Sequence, residues 1–226
     1  MSEWQFMEAN DPDSNLTMIE PRCEDFEYDV DHHGERFFIR NNGDGAKDFK
    51  VSETPVSDPG SENWKDFVPH VLKRPIAGIG VSQDYFVLYY RAGGLPQVQI
   101  MELATGITHD LRLDEEDYAL RLQGSREWDS PLLRFSYASL TTPATVYDYD
   151  MGTRDREFKK QVQVMGEFSS ENYRSRRLSA TAPDGTEVPI SILYAKDTPL
   201  DGSAPLYLYG YGSYGIIVES DFGSAG

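Results

Sequence analysis

The sequence predicts a mainly β protein that begins as a partial β-propeller of about three and a half blades. Short runs rich in Tyr, Phe, Val and Ile are separated by Gly, Pro, Asn and Asp, which is typical of strands and turns. These runs repeat: Phe38, Val87 and Arg134 mark equivalent places, separated by 49 and 47 residues. Four-stranded units with a period of about 45 residues are typical of propeller blades. The regular period favours a propeller over a plain antiparallel sandwich.

Each unit is predicted to contain one short strand followed by three longer ones. The predicted strands lie within residues 23–31, 35–43, 47–56 and 63–70, then 76–81, 83–94, 97–106 and 107–113, then 131–140, 144–152 and 156–162. Residues 3–11 and 15–22 match the last two strands of a preceding unit, so we expect the chain to start within a blade. A closed propeller needs at least four blades, and we therefore expect a fragment of one.

After Gly166 the pattern changes, and we place a domain boundary near residues 164–172. The propeller segment is then residues 1–166 and the second domain is residues 167–226. In the second domain, residues 176–197 predict a hairpin around Pro183, Asp184 and Gly185, since Pro presets the turn and Gly accepts positive φ. Residues 202–215 predict a buried apolar strand that leads into a glycine-rich loop.

The composition restricts the classes of partner. With 21 Lys and Arg against 38 Asp and Glu, the net charge is −17, which disfavours nucleic acid and anionic membranes and favours cationic ligands. The single cysteine, Cys23, excludes an internal disulfide framework and favours a reducing compartment. No run approaches the roughly 18 consecutive apolar residues of a membrane span, and the acidic N-terminus has no signal-peptide pattern. We expect a cytoplasmic protein.

We predict no metal and no cofactor. His32, His33, His70 and His109 lack ligand spacing with Cys or carboxylates. The loop from Gly210 to Gly215 fits the dinucleotide fingerprint G-x-G-x-x-G, but no helical pattern follows it, as that site requires. The loop therefore calls for another explanation.

Three stretches carry a family resemblance: "FEYDVDHHGERFFIRNN", "YASLTTPATVYDYDMGT", and "ENYRSRRLSATAPDGTEVPISILYAKD" followed by "PLYLYGYGSYG". They resemble the prolyl oligopeptidase family of serine peptidases, in particular its oligopeptidase B branch, and the similarity extends over essentially the whole chain. The resemblance implies that residues 167–226 are the start of an α/β-hydrolase catalytic domain. It also implies cleavage of short peptides after Arg or Lys.

The same resemblance implies roles for four residues. The hydroxyl of Tyr211 would complete an oxyanion hole, together with the backbone N–H that follows the nucleophilic serine. Tyr214 would line the substrate pocket nearby. Glu219 and Asp221 would hold a second basic side chain, although this family commonly has Asp at the position of Glu219. The residues themselves fit this role, because carboxylates two apart on an extended segment point the same way and can bind a guanidinium together.

The resemblance places the catalytic Ser, Asp and His in that order, all C-terminal to this loop. We therefore expect an internal segment of such an enzyme, which is inactive by itself. Two alternatives remain: a non-catalytic acidic β module that binds basic partners, and a fragment of a post-proline peptidase, whose specificity would not depend on Glu219 and Asp221. The oligomeric state is left open, because an unpaired sheet edge can pair with another copy.

Overall fold

The computed structural model describes residues 3–11, 13–124 and 127–223. Within these ranges the chain forms β-strands and three 3₁₀ turns, and it contains no α-helix. The strands are β1 Trp4–Phe6, β2 Thr17–Glu20, β3 Tyr28–His33, β4 Arg36–Asn41, β5 Lys50–Pro55, β6 Lys65–Val68, β7 Ile76–Val81, β8 Tyr85–Ala92, β9 Leu95–Glu102, β10 Thr108–Asp110, β11 Ala119–Gln123, β12 Leu132–Ala138, β13 Thr145–Asp150, β14 Arg156–Gln161, β15 Tyr173–Thr181 and β16 Glu187–Ala195.

The strands form the predicted partial propeller. Three four-stranded sheets follow one another, β3–β6, β7–β10 and β11–β14, and within each sheet the hydrogen-bonded neighbours are consecutive in sequence. The two-stranded sheet of β1 and β2 precedes them, which gives three and a half units. Phe38, Val87 and Arg134 are each the third residue of the second strand of their sheet, so the predicted repeat is confirmed. Tight connections between sequence neighbours make each sheet a simple meander.

The chain divides into two compact units. The first consists of the described residues within 1–93, 97–111 and 126–131, and contains the sheet of β1 and β2 and most of the next two sheets. The second consists of the described residues within 94–96, 112–125 and 132–226, and contains the sheet of β11 to β14, the hairpin of β15 and β16, and the C-terminal segment.

The core of the first unit explains why the three central residues of β4, Phe37 to Ile39, form a continuous apolar run. Phe37 and Ile39 belong to one cluster, with Ile19 and Tyr28. Phe38, which points to the other face, belongs to a second cluster with residues of β5, β7 and β8. Since successive side chains of a strand point to opposite faces, a strand covered on both faces is apolar at every position rather than at every second one.

In the second unit the two faces of the four-stranded sheet differ. Phe135 is fully buried, whereas its neighbour Arg134 is 53% exposed and makes two hydrogen bonds to Asp148, at 2.6 and 2.8 Å. Such bidentate contacts fix the orientation of both groups. The sheet thus presents one apolar face and one face that carries charge.

The predicted hairpin is confirmed. Strands β15 and β16 pair over their full nine residues, from Tyr173 with Ala195 to Thr181 with Glu187. At the turn, the Gly185 N–H donates to the Ala182 carbonyl at 2.9 Å, and Gly185 has φ +84°. Glycine adopts this left-handed conformation without a steric penalty, so the Pro-Asp-Gly signal acts as expected.

The predicted buried strand within residues 202–215 is wrong. The structure has no strand there, and Leu206, Tyr207 and Leu208 are 76–79% exposed. A strand satisfies its backbone N–H and C=O groups by pairing with a neighbour, and no described strand lies alongside these residues. Apolar composition alone therefore did not produce a buried strand.

Candidate active-site segment

The glycine-rich loop ends in a tight turn at residues 213–216. The Ile216 N–H donates to the Ser213 carbonyl at 3.0 Å, and the two central residues, Tyr214 and Gly215, have φ of +56° and +66°. Positive φ at both central positions is the signature of a type I′ turn. Gly215 suits this turn, whereas a tyrosine rarely adopts this conformation. The Tyr214 ring is 93% exposed, so the turn holds it in solvent.

Tyr211 lies on the approach to this turn, between Gly210 and Gly212, and is about half exposed. Neither glycine has positive φ, and a Cβ added to either would meet no atom within 4 Å. Within the described residues, the side chains of Tyr211 and Tyr214 make no hydrogen bond. Both aromatic groups are thus presented to solvent rather than used to hold the loop together.

Ser220 anchors the segment that carries Glu219 and Asp221. It is 8% exposed, its hydroxyl donates to Asp117 Oδ2 at 2.7 Å, and its Oγ lies 2.9 Å from Ser191 Oγ. Asp117 is 3% exposed and also accepts a hydrogen bond from Arg177 Nη1 at 3.0 Å. With Ser220 facing inward, its two half-buried neighbours alternate with it, as on extended chain.

Asp221 already holds a guanidinium. Nη2 of Arg121 on β11 lies 2.7 Å from Asp221 Oδ2. The Arg121 side chain is 61% exposed and that of Asp221 is 26% exposed. The structure therefore brings Asp221 together with Arg121, and anchors the same segment to Asp117 through Ser220, but it joins neither Tyr211 nor Tyr214 to this group by a hydrogen bond among the described residues.

Arg121, Asp117 and Ser220 were not predictable as site residues from the sequence. Arg121 and Asp221 are 100 residues apart, and Asp117 and Ser220 are 103 residues apart. Local spacing carries no information about such pairs. The acidic run at residues 114–117 was the one visible signal, and it marks where the C-terminal segment is held.

A cavity of about 490 Å³ lies beside this acidic run, between residues 114–117, 141–142 and 170–175. Glu115 accepts hydrogen bonds there from Tyr137, Thr141 and Thr142. Burial, and secondarily the Glu115 carboxylate, raises the pKa of Tyr137. The cavity is lined by carboxylates, hydroxyl groups and Arg174, and none of the four predicted site residues lines it.

Clusters of metal-ligating side chains and membrane-spanning helices are both absent from the part of the chain that the structure describes. Across residues 3–11, 13–124 and 127–223, no group of three or more His, Cys, Asp and Glu side chains is arranged to hold a metal ion. Over the same part of the chain, no helix has the length and apolar character needed to cross a membrane.

Comparison with known proteins gives consistent matches. The model of the prolyl oligopeptidase N-terminal β-propeller domain matches residues 2–162. Among curated proteins, the chain is 36% identical over 208 residues to dipeptidyl aminopeptidase BI of Pseudoxanthomonas mexicana, covering 92% of this chain and 28% of that protein. It is 28% identical over 221 residues to protease 2 of Moraxella lacunata, covering 98% of this chain and 31% of that protein.

Solved structures give the same result. Oligopeptidase B from Trypanosoma brucei with covalently bound antipain, in its closed form, aligns with a TM-score of 0.88 and 34% identity over 97% of this chain and 32% of that chain. Oligopeptidase B from Leishmania major aligns with a TM-score of 0.86 and 30% identity, with the same coverage. The chain thus spans about a third of the length of the proteins it matches.

Proposed function

Because the chain belongs to the prolyl oligopeptidase family, we propose that it is part of an oligopeptidase B-like serine peptidase that hydrolyses short peptides after Arg or Lys. Residues 1–166 would form the propeller segment, and residues 167–226 the start of the α/β-hydrolase catalytic domain. The catalytic triad would be supplied by the remainder of the longer protein, which we place in the cytoplasm. The −17 charge supports basic peptides as substrates, because it attracts cations.

Tyr211 would act on the developing oxyanion. When the serine attacks the scissile carbonyl, negative charge accumulates on the carbonyl oxygen, and a donor aimed at that position stabilises the transition state more than the substrate. The presentation of the Tyr211 ring at the surface of the loop supports this role, because the hydroxyl is not consumed by a hydrogen bond within the described residues.

Asp221, with Glu219, would bind a second basic side chain of the substrate, in addition to the Arg or Lys after which the peptide is cleaved. The observation that carries this proposal is the 2.7 Å contact between Asp221 and the Arg121 guanidinium. A substrate arginine offers the same group, and a charge-assisted hydrogen bond of this length is a favourable way to hold it. The buried anchor at Ser220 supports the role, since Ser220 faces inward while Glu219 and Asp221 on either side of it remain partly exposed.

The substitution Tyr211→Phe in the complete enzyme tests the oxyanion role. We expect kcat to fall by about 10²–10³-fold with little change in KM, because one oxyanion donor is lost while ground-state binding is retained. Tyr209→Phe is the matched control: it removes a hydroxyl from an exposed tyrosine two residues away and should leave kcat unchanged. An unchanged kcat for Tyr211→Phe would exclude the role.

A second candidate is a peptidase that releases dipeptides from free N-termini. The 36% identity to a protein named dipeptidyl aminopeptidase BI favours it. Substrates with a basic second residue and either a free or an acetylated N-terminus separate the two candidates. An endopeptidase cleaves both forms, whereas an aminopeptidase requires the free amine and loses activity on the acetylated one.

A further inference from the structure

We propose that Arg121 is a specificity-determining residue that occupies Asp221 until a basic substrate side chain displaces it. The inference rests on the proposed function, in which Asp221 binds such a side chain. Arg121 presents to Asp221 the same guanidinium that the substrate would bring, at 2.7 Å. The substrate would therefore compete with a group of the protein itself for this carboxylate.

Two arginine–aspartate pairs in this region differ in burial: Arg177 with Asp117 forms a permanent anchor, whereas Arg121 with Asp221 can be displaced. The pair of Arg177 and Asp117 is largely buried, with side-chain exposures of 20% and 3%. Breaking it would leave a buried carboxylate uncompensated, which is strongly unfavourable. Arg121, by contrast, is 61% exposed. When it leaves Asp221, water solvates its guanidinium, so its release costs little.

Because only Arg121 is displaceable, we expect a basic side chain, and no uncharged one, to replace it on Asp221. Ser220 stays bound to Asp117 while Arg121 moves away, so the carboxylate that Arg121 leaves remains in position for the incoming cation. An uncharged side chain cannot replace the guanidinium, and Arg121 then keeps Asp221. The competition therefore weakens the binding of basic side chains only, and by a modest factor, because the exposed pair is worth little.

The test is an NMR titration of the 226-residue chain at low salt with N-acetyl-arginine amide. N-acetyl-citrulline amide serves as the uncharged probe of the same shape. We expect Arg121→Gln to lower the Kd of the arginine probe about two- to fivefold, since the internal competitor is gone. Asp221→Asn should raise this Kd, and the double variant Arg121→Gln with Asp221→Asn should show no tightening relative to Asp221→Asn alone. The citrulline probe should respond to none of them.

Arg134→Gln is the matched control. Arg134 is also an exposed arginine of the sheet of β11 to β14, so its loss changes the net charge by the same amount. Its partner Asp148 is only 5% exposed and keeps Lys159 at 3.3 Å, so no accessible carboxylate is released. We expect Arg134→Gln to leave the Kd close to that of the parent chain.

The outcomes distinguish this inference from the proposed function. If Asp221→Asn weakens binding but Arg121→Gln does not tighten it beyond Arg134→Gln, Arg121 is not a competitor, while the proposed subsite stands. If Asp221→Asn leaves the Kd of the arginine probe unchanged, both the competition and the subsite are overturned. Circular dichroism of each variant establishes that it is folded.

Discussion

The four-stranded sheets and the segment at residues 204–218 use the same residue types with opposite results. In β4, Phe38 and Ile39 are completely buried, whereas in the C-terminal segment Leu206 and Tyr207 are 76% and 79% exposed. The difference lies in pairing: β4 has hydrogen-bonded strands on both sides, and the segment has none among the described residues. In this comparison, the buried apolar side chains lie on a strand that is paired on both sides and covered, whereas those of the unpaired segment remain exposed.

The proposed site lies in the second of these two regions. The proposed site residues Tyr211, Tyr214, Glu219 and Asp221 all lie in or directly after the exposed segment. Its fixed point lies outside it, at Asp117 directly before β11, which holds Ser220, while Arg121 of β11 makes an exposed contact with Asp221. A rigid β framework that positions an irregular segment is a common arrangement for binding sites.

The largest effect on stability should come from replacing one large apolar side chain in each region by alanine. Phe38→Ala removes a ring in contact with Phe67 and Phe86, at centroid distances of 4.7 and 5.1 Å, and should lower the free energy of unfolding by about 3–5 kcal/mol. Leu206→Ala should change it by less than about 0.5 kcal/mol, because this side chain is exposed in the folded state.

Urea denaturation of both variants measures this difference. Equal losses of stability would mean that Leu206 is packed in solution, and the contrast between the two regions would then fail. The m-value provides a check, because it changes if a variant alters the surface that is exposed on unfolding.

A smaller effect is expected where the sheet region anchors the exposed segment. Asp117→Asn removes the charge from the buried acceptor of Arg177 Nη1 and should lower the free energy of unfolding by about 1–3 kcal/mol. It should also increase amide hydrogen exchange around Ser220, whose hydroxyl loses a charged acceptor. Asp114→Asn is the control, since Asp114 is 81% exposed and pairs with Arg156 at the surface. If the two variants behave alike, Asp117 is not the anchor.

The smallest effect concerns acid stability. Hydrogen bonding to Arg134, aided by Lys159, holds the pKa of Asp148 below its usual value, although burial opposes this shift. Because the folded-state pKa is depressed, the stabilisation is present above the unfolded-state pKa of about 4 and is lost as the pH falls through the folded-state value. Asp148→Asn should therefore flatten the loss of stability below about pH 4.

Glu187 in the hairpin is the control for the pH dependence expected of Asp148→Asn. Hydrogen bonds from Ser179 and Thr181 also lower the pKa of Glu187, but its carboxylate is exposed to solvent. Solvent screening weakens such contributions, so Glu187→Gln should leave the pH profile nearly unchanged. Thermal unfolding between pH 3 and 6 tests both variants, and a larger change for Glu187→Gln would reverse the expected order of the two regions.

The sequence by itself determined the repeat and the turns. Strand periodicity predicted the sheets because a propeller blade pairs strands that are consecutive in sequence, so each blade is encoded within about 45 residues. The Pro183-Asp184-Gly185 turn was predictable for the same reason, since its chemistry is local. The spacing of Glu219 and Asp221 likewise indicated two carboxylates on one side of the chain.

Only the tertiary structure decided what surrounds those carboxylates. The contacts of Asp221 with Arg121 and of Ser220 with Asp117 join residues about a hundred positions apart, and no local pattern encodes them. Tertiary context also decided that residues 206–208 are exposed, although their composition predicted a buried strand. Burial and ion pairing depend on which distant groups come into contact, whereas periodicity reports only the neighbours along the chain.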